Sequence, residues 1–188
     1  SNVASDSAKK NAASVRDSAK ALQEDSLALL SKGKDSVFTK KNVRQDDGTV
    51  KSEYDTDAIY KAVSKFVKDY NSTIESAASS EDSSVLSSTA GMVKATKANS
   101  NLLADVGISI GSDNKLTIDE KAFKSANMTD VKSIFNGTGS YAYGIASSSS
   151  NIYNKSVSQL ANLNGYSYTS TGSYSSYQYT GSLYSQYK

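Results

Sequence analysis

Asp55-Thr-Asp-Ala-Ile59-Tyr-Lys-Ala-Val63-Ser-Lys-Phe66-Val67-Lys-Asp-Tyr70-Asn71-Ser-Thr-Ile74-Glu-Ser-Ala-Ala78 is the stretch that decides the fold. Ile59, Val63, Phe66, Val67, Tyr70 and Ile74 recur three and four residues apart, which lines them along one face of an α-helix and leaves Lys, Asp and Glu to the other. Asp55-Thr56-Asp57 supplies an N-cap, and the cluster Ser79-Ser80-Glu81-Asp82-Ser83 breaks the pattern. The spacing predicts a helix ending near Ala78 whose apolar face is the structural centre of the chain, with Phe66 in its middle.

The same rule applied toward the N-terminus predicts a helix over residues 3 to 31, carried by Val15, Ala19, Leu22, Ser26 and Leu29 and closed by Gly33 as a C-cap. The stripe Val15, Ala19, Leu22 and Leu29 is narrow, close to the seam of a coiled coil, so it suits docking on this chain or on a neighbouring subunit. Between the two helices, Ser36-Val-Phe-Thr-Lys and Thr49-Val-Lys-Ser-Glu-Tyr54 flank Asp46-Asp47-Gly48. An Asp-Gly turn between residues of fair β-propensity reads as a hairpin, and the polar flanks equally suit a solvent-exposed loop.

Beyond the break, Val85, Leu86, Met92, Val93, Leu102 and Leu103 predict one helix to about Asp105, with Gly91 inside it. Ile108 and Ile110, then Leu116 and Ile118, alternate with small or polar residues about a turn, which reads as a short hairpin with one buried face. Thr117 and Glu120 form a capping-box pattern before a short helix holding Ala122, Phe123 and Ala126. Thr129-Asp130 starts a further brief turn with Val131, Ile134 and Phe135, closed by Asn136-Gly137, and a last long helix follows from about Tyr141 to Leu163 on Ile145, Ile152, Val157, Leu160 and Leu163.

These elements define a mainly α protein: an elongated helical bundle with long antiparallel helices and one or two small β-hairpins over residues 1–164, then a Tyr/Ser-rich tail over 165–188. The tail holds seven of the thirteen tyrosines. Tyr166 with Tyr168 and Tyr177 with Tyr179 are spaced for a strand, whereas Tyr174, Tyr177 and Tyr184 suit a helix. The expectation is a tail that folds back along the helices, against the alternative of an interaction segment.

Composition narrows the function. Leu, Ile, Val and Phe make up about a fifth of the 188 residues, so the core is thin and much of its burial falls in helix seams. Pro is absent, which leaves long helices uninterrupted. The net charge of +2, with acid and base alternating along the chain, argues against a nucleic-acid face. No apolar run approaches the roughly 18 to 20 residues of a membrane span. The first residues carry no signal-peptide core, which leaves open a targeting segment upstream of Ser1.

With neither His nor Cys, the chain lacks the commonest general base, the commonest transition-metal ligands and the thiol nucleophile. Asp46 with Asp47 and Asp119 with Glu120 are carboxylate pairs, yet one lies in a turn and the other at a helix start. Ser112-Asp-Asn-Lys115 overlaps a Ser-x-x-Lys and a Ser-Asp-Asn pattern in a single turn, whereas enzymes that use both hold them on separate elements with a Lys-Thr-Gly that is missing here. Asp113 is followed by Lys115, Leu116 and Ile118 where a calcium loop needs oxygen ligands. Asn71, Asn127, Asn136 and Asn154 each begin an Asn-x-Ser/Thr triplet of the kind that chance produces in a Ser-rich chain. No catalytic residue, metal ligand or cofactor site is expected.

Four segments, in order, carry a resemblance. Ile59-Tyr-Lys-Ala-Val-Ser-Lys-Phe-Val-Lys-Asp-Tyr-Asn71 ends in Phe-Val-x-x-Tyr-Asn; Leu103-Ala-Asp-Val-Gly-Ile-Ser-Ile110 holds a Gly-Ile pair; Asn114-Lys-Leu-Thr-Ile-Asp-Glu120 and Val131-Lys-Ser-Ile-Phe-Asn-Gly137 follow. Together they resemble the C-terminal region of the bacterial flagellar filament cap family, hook-associated protein 2, over roughly residues 55 to 140. Asn114 stands where that family often has Gly. The matched positions are Phe66, Val67, Tyr70, Asn71, Gly107, Ile108, Lys115, Leu116, Thr117, Asp119, Phe135 and Gly137. The resemblance implies a secreted axial protein of the flagellum or cell surface. It also implies a non-enzymatic role that needs no cofactor, with flagellin-like or identical subunits as partners and a homo-oligomer as one outcome. The alternative is a cell-surface adhesion or glycan-binding module on the same scaffold, its tyrosines stacking on sugars.

Overall fold

The computed structural model describes residues 2–165; the strand, helix and fold-back readings of the Tyr-rich stretch fall on 166–188, outside the described residues. The chain is mainly α. In order it forms α1 (Asn2–Leu30), a 3₁₀ turn (Gly33–Asp35), β1 (Lys41–Arg44), β2 (Val50–Glu53), α2 (Thr56–Ala78), α3 (Ser83–Ala98) and α4 (Ser100–Asp105). Then come β3 (Ile108–Ile110), β4 (Leu116–Ile118), α5 (Glu120–Ser125), α6 (Met128–Phe135) and α7 (Tyr141–Leu163).

The long helices form an antiparallel bundle. Asn11 Nδ2 donates to the Ser76 carbonyl at one end of the α1–α2 seam and Lys65 Nζ meets Asp25 Oδ1 toward the other, so the two helices run in opposite directions. Asn136, just before α7, donates to the Leu29 carbonyl at the end of α1, and Thr96 in the last turn of α3 meets Tyr141 at the start of α7. α7 therefore runs antiparallel to both α1 and α3. α1 packs chiefly on α7 and α2. At 1.5 Å per residue the 29 residues of α1 extend about 43 Å, which makes the bundle long and narrow.

Caps fix most helix starts. The carboxylates of Asp55, Asp82 and Asp119 accept from the backbone N–H of Ala58, Val85 and Ala122, Asn127 Oδ1 accepts from Thr129 N–H, and Ser140 Oγ from Tyr143 N–H. The cap of α5 is thus Asp119 and not Thr117, and α6 begins at Met128, one residue earlier than Thr129 suggested, because Asn127 caps it by accepting from Thr129 N–H.

Other boundaries also differ from expectation. α1 stops at Leu30, and Gly33, with φ +70°, opens the 3₁₀ turn three residues later. The helix end is held instead by Asn136, whose Nδ2 donates to the carbonyls of Leu29 (2.6 Å) and Ser31 (3.1 Å). The first hairpin strand is Lys41–Arg44, while the expected strand residue Phe38 is buried in the preceding turn. The helix expected from Val85 to Asp105 is two, divided at Asn99, whose amide donates to the Ala95 carbonyl four residues back. Leu86 and Leu102, expected in the core, are exposed. In α7 Ile145 and Ile152 are fully buried, but Val157, Leu160 and Leu163 are half-buried.

Candidate functional site

The resemblance positions gather in two places. The first is an aromatic nucleus between α2, α6 and α7. Phe66 lies edge-on to Phe135 at 5.5 Å and to Tyr141 at 5.9 Å between ring centres, with Tyr70 at 6.3 Å on its own helix. Burying several rings calls for their polar ends to be satisfied. Thr96 of α3 does this: Tyr70 Oη donates to Thr96 Oγ1 at 2.9 Å, and Tyr141 Oη lies 2.9 Å from the same oxygen. Burial pushes both phenols up from their ordinary range, Tyr141 the further. Thr96 is a residue the helical stripe passed over, because a Thr among Ala and Lys gives no periodic signal.

The second place is the clamp between α2 and the β3–β4 hairpin. Asn71 Nδ2 donates to the Leu116 carbonyl at 2.8 Å and Leu116 N–H donates to Asn71 Oδ1 at 2.7 Å, so the side chain pairs with β4 as a strand would. Ile108 and Leu116 are buried, Ser109 and Thr117 exposed, as a strand's alternation requires. Lys115 Nζ reaches Glu75 of α2 at 3.2 Å. Gly107 has φ +82°, and a Cβ there would sit 2.9 Å from the Phe123 backbone nitrogen. Only Gly meets both conditions. Asn114 has φ +67°, a left-handed conformation that Asn tolerates better than most residues, which accounts for Asn at a position suited to Gly. Gly137, by contrast, has no positive φ and no close neighbour, and nothing in the structure requires Gly there. Val67 is buried on α2 beside Phe66. Most of the matched side chains thus hold helices and hairpin together, and apart from Lys115, Thr117, Asp119 and Gly137 they offer little to a partner.

Val15, Ala19, Leu22 and Leu29 are all fully buried and belong to the hydrophobic core cluster of the described residues. Of the two uses open to that stripe, docking on this chain is the one observed. Beside it, Asp25 of α1 is 5% exposed yet carboxylic, with Lys65 Nζ at 2.6 Å and Asp69 across the ammonium at 3.7 Å. Burial and the neighbouring Asp69 carboxyl raise Asp25 to about 7, because Lys65, mostly in water, repays only part of the desolvation.

The remaining sequence candidates serve local structure. Asp47 Oδ1 accepts from the N–H and hydroxyl of Thr49, which lowers its pKa and closes the hairpin turn. Asp119 caps α5 while Glu120 pairs with Lys124. Asp113 accepts from Lys115 N–H within its own turn. Asn71 and Asn127 spend their amides on backbone groups, and Asn136 divides its amide between the Leu29 and Ser31 carbonyls and the Lys32 ammonium. No group of three or more Asp or Glu side chains able to hold a metal ion exists among the described residues. None of the described helices is long and apolar enough to cross a membrane.

What the fold leaves open is the β1–β2 hairpin. Every residue of both strands is exposed, and the sheet has two strands only, so each strand keeps an unpaired edge. The register pairs Val43 with Lys51 and Arg44 with Val50, which puts one valine on each face. A lone hairpin is marginal in water. Here Lys41 Nζ ties its base to Asp55 at 3.2 Å, and Gln45 Nε2 bridges the strands to Glu53.

Comparison with known protein families, with characterised proteins and with solved structures finds no match for this chain.

Proposed function

We propose that the protein is a non-catalytic structural module that joins like subunits through the β1–β2 hairpin; the resemblance to the flagellar filament cap family, which lies over residues 55 to 140 and not over the hairpin itself, suggests only the kind of partner. The carrying observation is the hairpin itself: two fully exposed strands with both edges unpaired, beside a core that already absorbs the apolar stripes of α1 and α2. An exposed edge is a template for another strand, and its charges, Lys41, Arg44, Lys51 and Glu53, set which strand is accepted. On this reading the partner is a second copy of the chain or a flagellin-like subunit at a bacterial surface, and no cofactor takes part.

The absence of cysteine makes a direct test available. A Val50→Cys variant carries one thiol in the chain, on the hairpin, and Lys97→Cys carries one on α3. Under mild oxidation Val50→Cys should form disulfide-linked dimers much faster than Lys97→Cys. Equal rates would remove the hairpin as the contact between copies. A pull-down with flagellin filaments then separates self-association from the axial partner.

A further inference from the structure

One cavity lies at the foot of the hairpin and has its own chemistry. It measures about 290 Å³, and Lys32, Lys40, Lys132, Tyr54 and Asn136 contribute the side chains that matter. No carboxylate lines it. None of the three lysines takes part in an ion pair among the described residues; the paired cations are Arg16, Lys41, Lys65, Lys115 and Lys124. Lys32 Nζ donates to Asn136 Oδ1 at 2.9 Å, and Lys40 Nζ stands 4.9 Å over the Tyr54 ring, so two of them are held at the rim by groups that leave the charge unneutralised.

Helix ends supply partial negative charge close to the cavity. α1 ends at Leu30 and α6 at Phe135, both beside the cavity. A helix C-terminus is worth roughly half a negative charge, so two amount to about one against three ammonium groups. An excess of about two positive charges remains, facing a space large enough for a small polyatomic anion and its waters. Ser36 and Thr39 also line the cavity, with Thr39 Oγ1 donating to the Gly33 carbonyl at 2.6 Å and Ser36 Oγ accepting from Phe38 N–H at 3.1 Å.

We propose that this pocket binds a phosphate group, as the free ion or as a phosphate ester, with Lys40 and Lys132 as the principal charges and Lys32 and Asn136 fixing the rim. The site does not depend on the assembly reading: Lys32, Lys132 and Asn136 lie outside the hairpin, and Lys40 and Tyr54 flank its base and not its exposed strands.

Amide shifts in nitrogen-15 NMR spectra of the full chain, followed during titration with sodium phosphate against sodium chloride at matched ionic strength, test it. Saturable shifts should appear in residues 32–40 and 132–136 with phosphate only. The double variant Lys40→Gln/Lys132→Gln, whose changes lie at the surface, should weaken binding about tenfold, whereas Lys97→Gln on α3 should leave it within about twofold. Circular dichroism establishes that each variant remains folded. Glucose 6-phosphate binding at least as tightly as inorganic phosphate assigns the pocket to an ester; binding of inorganic phosphate alone assigns it to the free ion. Shifts no larger than those from chloride, or equal affinity in the double variant, overturn the proposal.

Discussion

Replacing Phe66 by Ala removes the ring that the other aromatic side chains of the nucleus share. Phe66 is fully buried and lies within 6.3 Å, centre to centre, of Tyr70, Phe135 and Tyr141. Truncating a buried Phe costs about 3 to 5 kcal/mol through lost transfer energy and the cavity left behind. The upper half of that range applies here, since the edge-on pairs with Phe135 and Tyr141 each add about 0.5 to 1.5 kcal/mol beyond area burial. The walls also resist collapse, because Thr96 holds both tyrosine hydroxyls in place. Against a total stability of about 5 to 15 kcal/mol, the variant loses a large fraction of its margin. At about 2 to 4 °C per kcal/mol for a chain of this length, the melting temperature should fall by roughly 8 to 20 °C. Urea unfolding followed by far-ultraviolet circular dichroism measures it, with the slope checked so that a lower midpoint is read as lost stability. A loss below about 1 kcal/mol would mean that the ring is not the packing centre.

Three further outcomes follow from named contacts. Asn71→Ala deletes both hydrogen bonds to Leu116 and leaves a half-buried strand edge unpaired; it should cost about 1 to 3 kcal/mol and speed amide exchange across β3–β4 more than across α1. Gly107→Ala must place a Cβ 2.9 Å from the Phe123 nitrogen at φ +82°, so it should destabilise by more than about 1 kcal/mol, whereas Gly137→Ala should be near neutral. Asp25, raised from 3.8 to about 7 in the folded chain, holds its proton more tightly when folded; its contribution is complete below about pH 4 and is lost as pH rises through 7. Urea midpoints of the wild type should therefore fall between pH 4.5 and 8, and Asp25→Asn should flatten that slope; a wild-type midpoint that rises across this window contradicts the assignment.

The long helices were legible in the sequence because their apolar spacing and their breaks coincide. α2 follows Ile59 to Ile74 and starts at the Asp55 cap, and the hairpins follow the Asp-Gly turn and the Ile108–Ile118 alternation. What stayed hidden depends on distant partners. The end of α1 is held by Asn136, more than a hundred residues away, so the nearer Gly33 drew the prediction instead. The division at Asn99 arises from a side-chain amide that competes for a helix carbonyl, and the run Asn99-Ser100-Asn101, with neither Gly nor Pro, carries only a weak breaker signal. Of the matched positions, most proved to be packing and clamping residues, as buried Phe, Tyr and Asn at fixed spacing would suggest. The exposed hairpin, on which the proposed assembly role rests, has polar strands and was legible only as a turn flanked by β-formers or an exposed loop. The lysine pocket had no signature at all, since Lys32, Lys40 and Lys132 are brought together by the fold alone.

Sedimentation velocity of the full chain beside a variant in which Gly-Gly replaces residues 41–53 tests the assembly role most directly. The ends of paired strands lie about 4.5 to 5.5 Å apart, so two glycines close the gap without disturbing Asp55 at the cap of α2. The proposed role predicts concentration-dependent association of the full chain, alone or with flagellin added, and its loss in the excised variant with the helical spectrum and melting temperature of the bundle preserved. Association that survives excision unchanged, or a full chain that stays monomeric under both conditions, would contradict it.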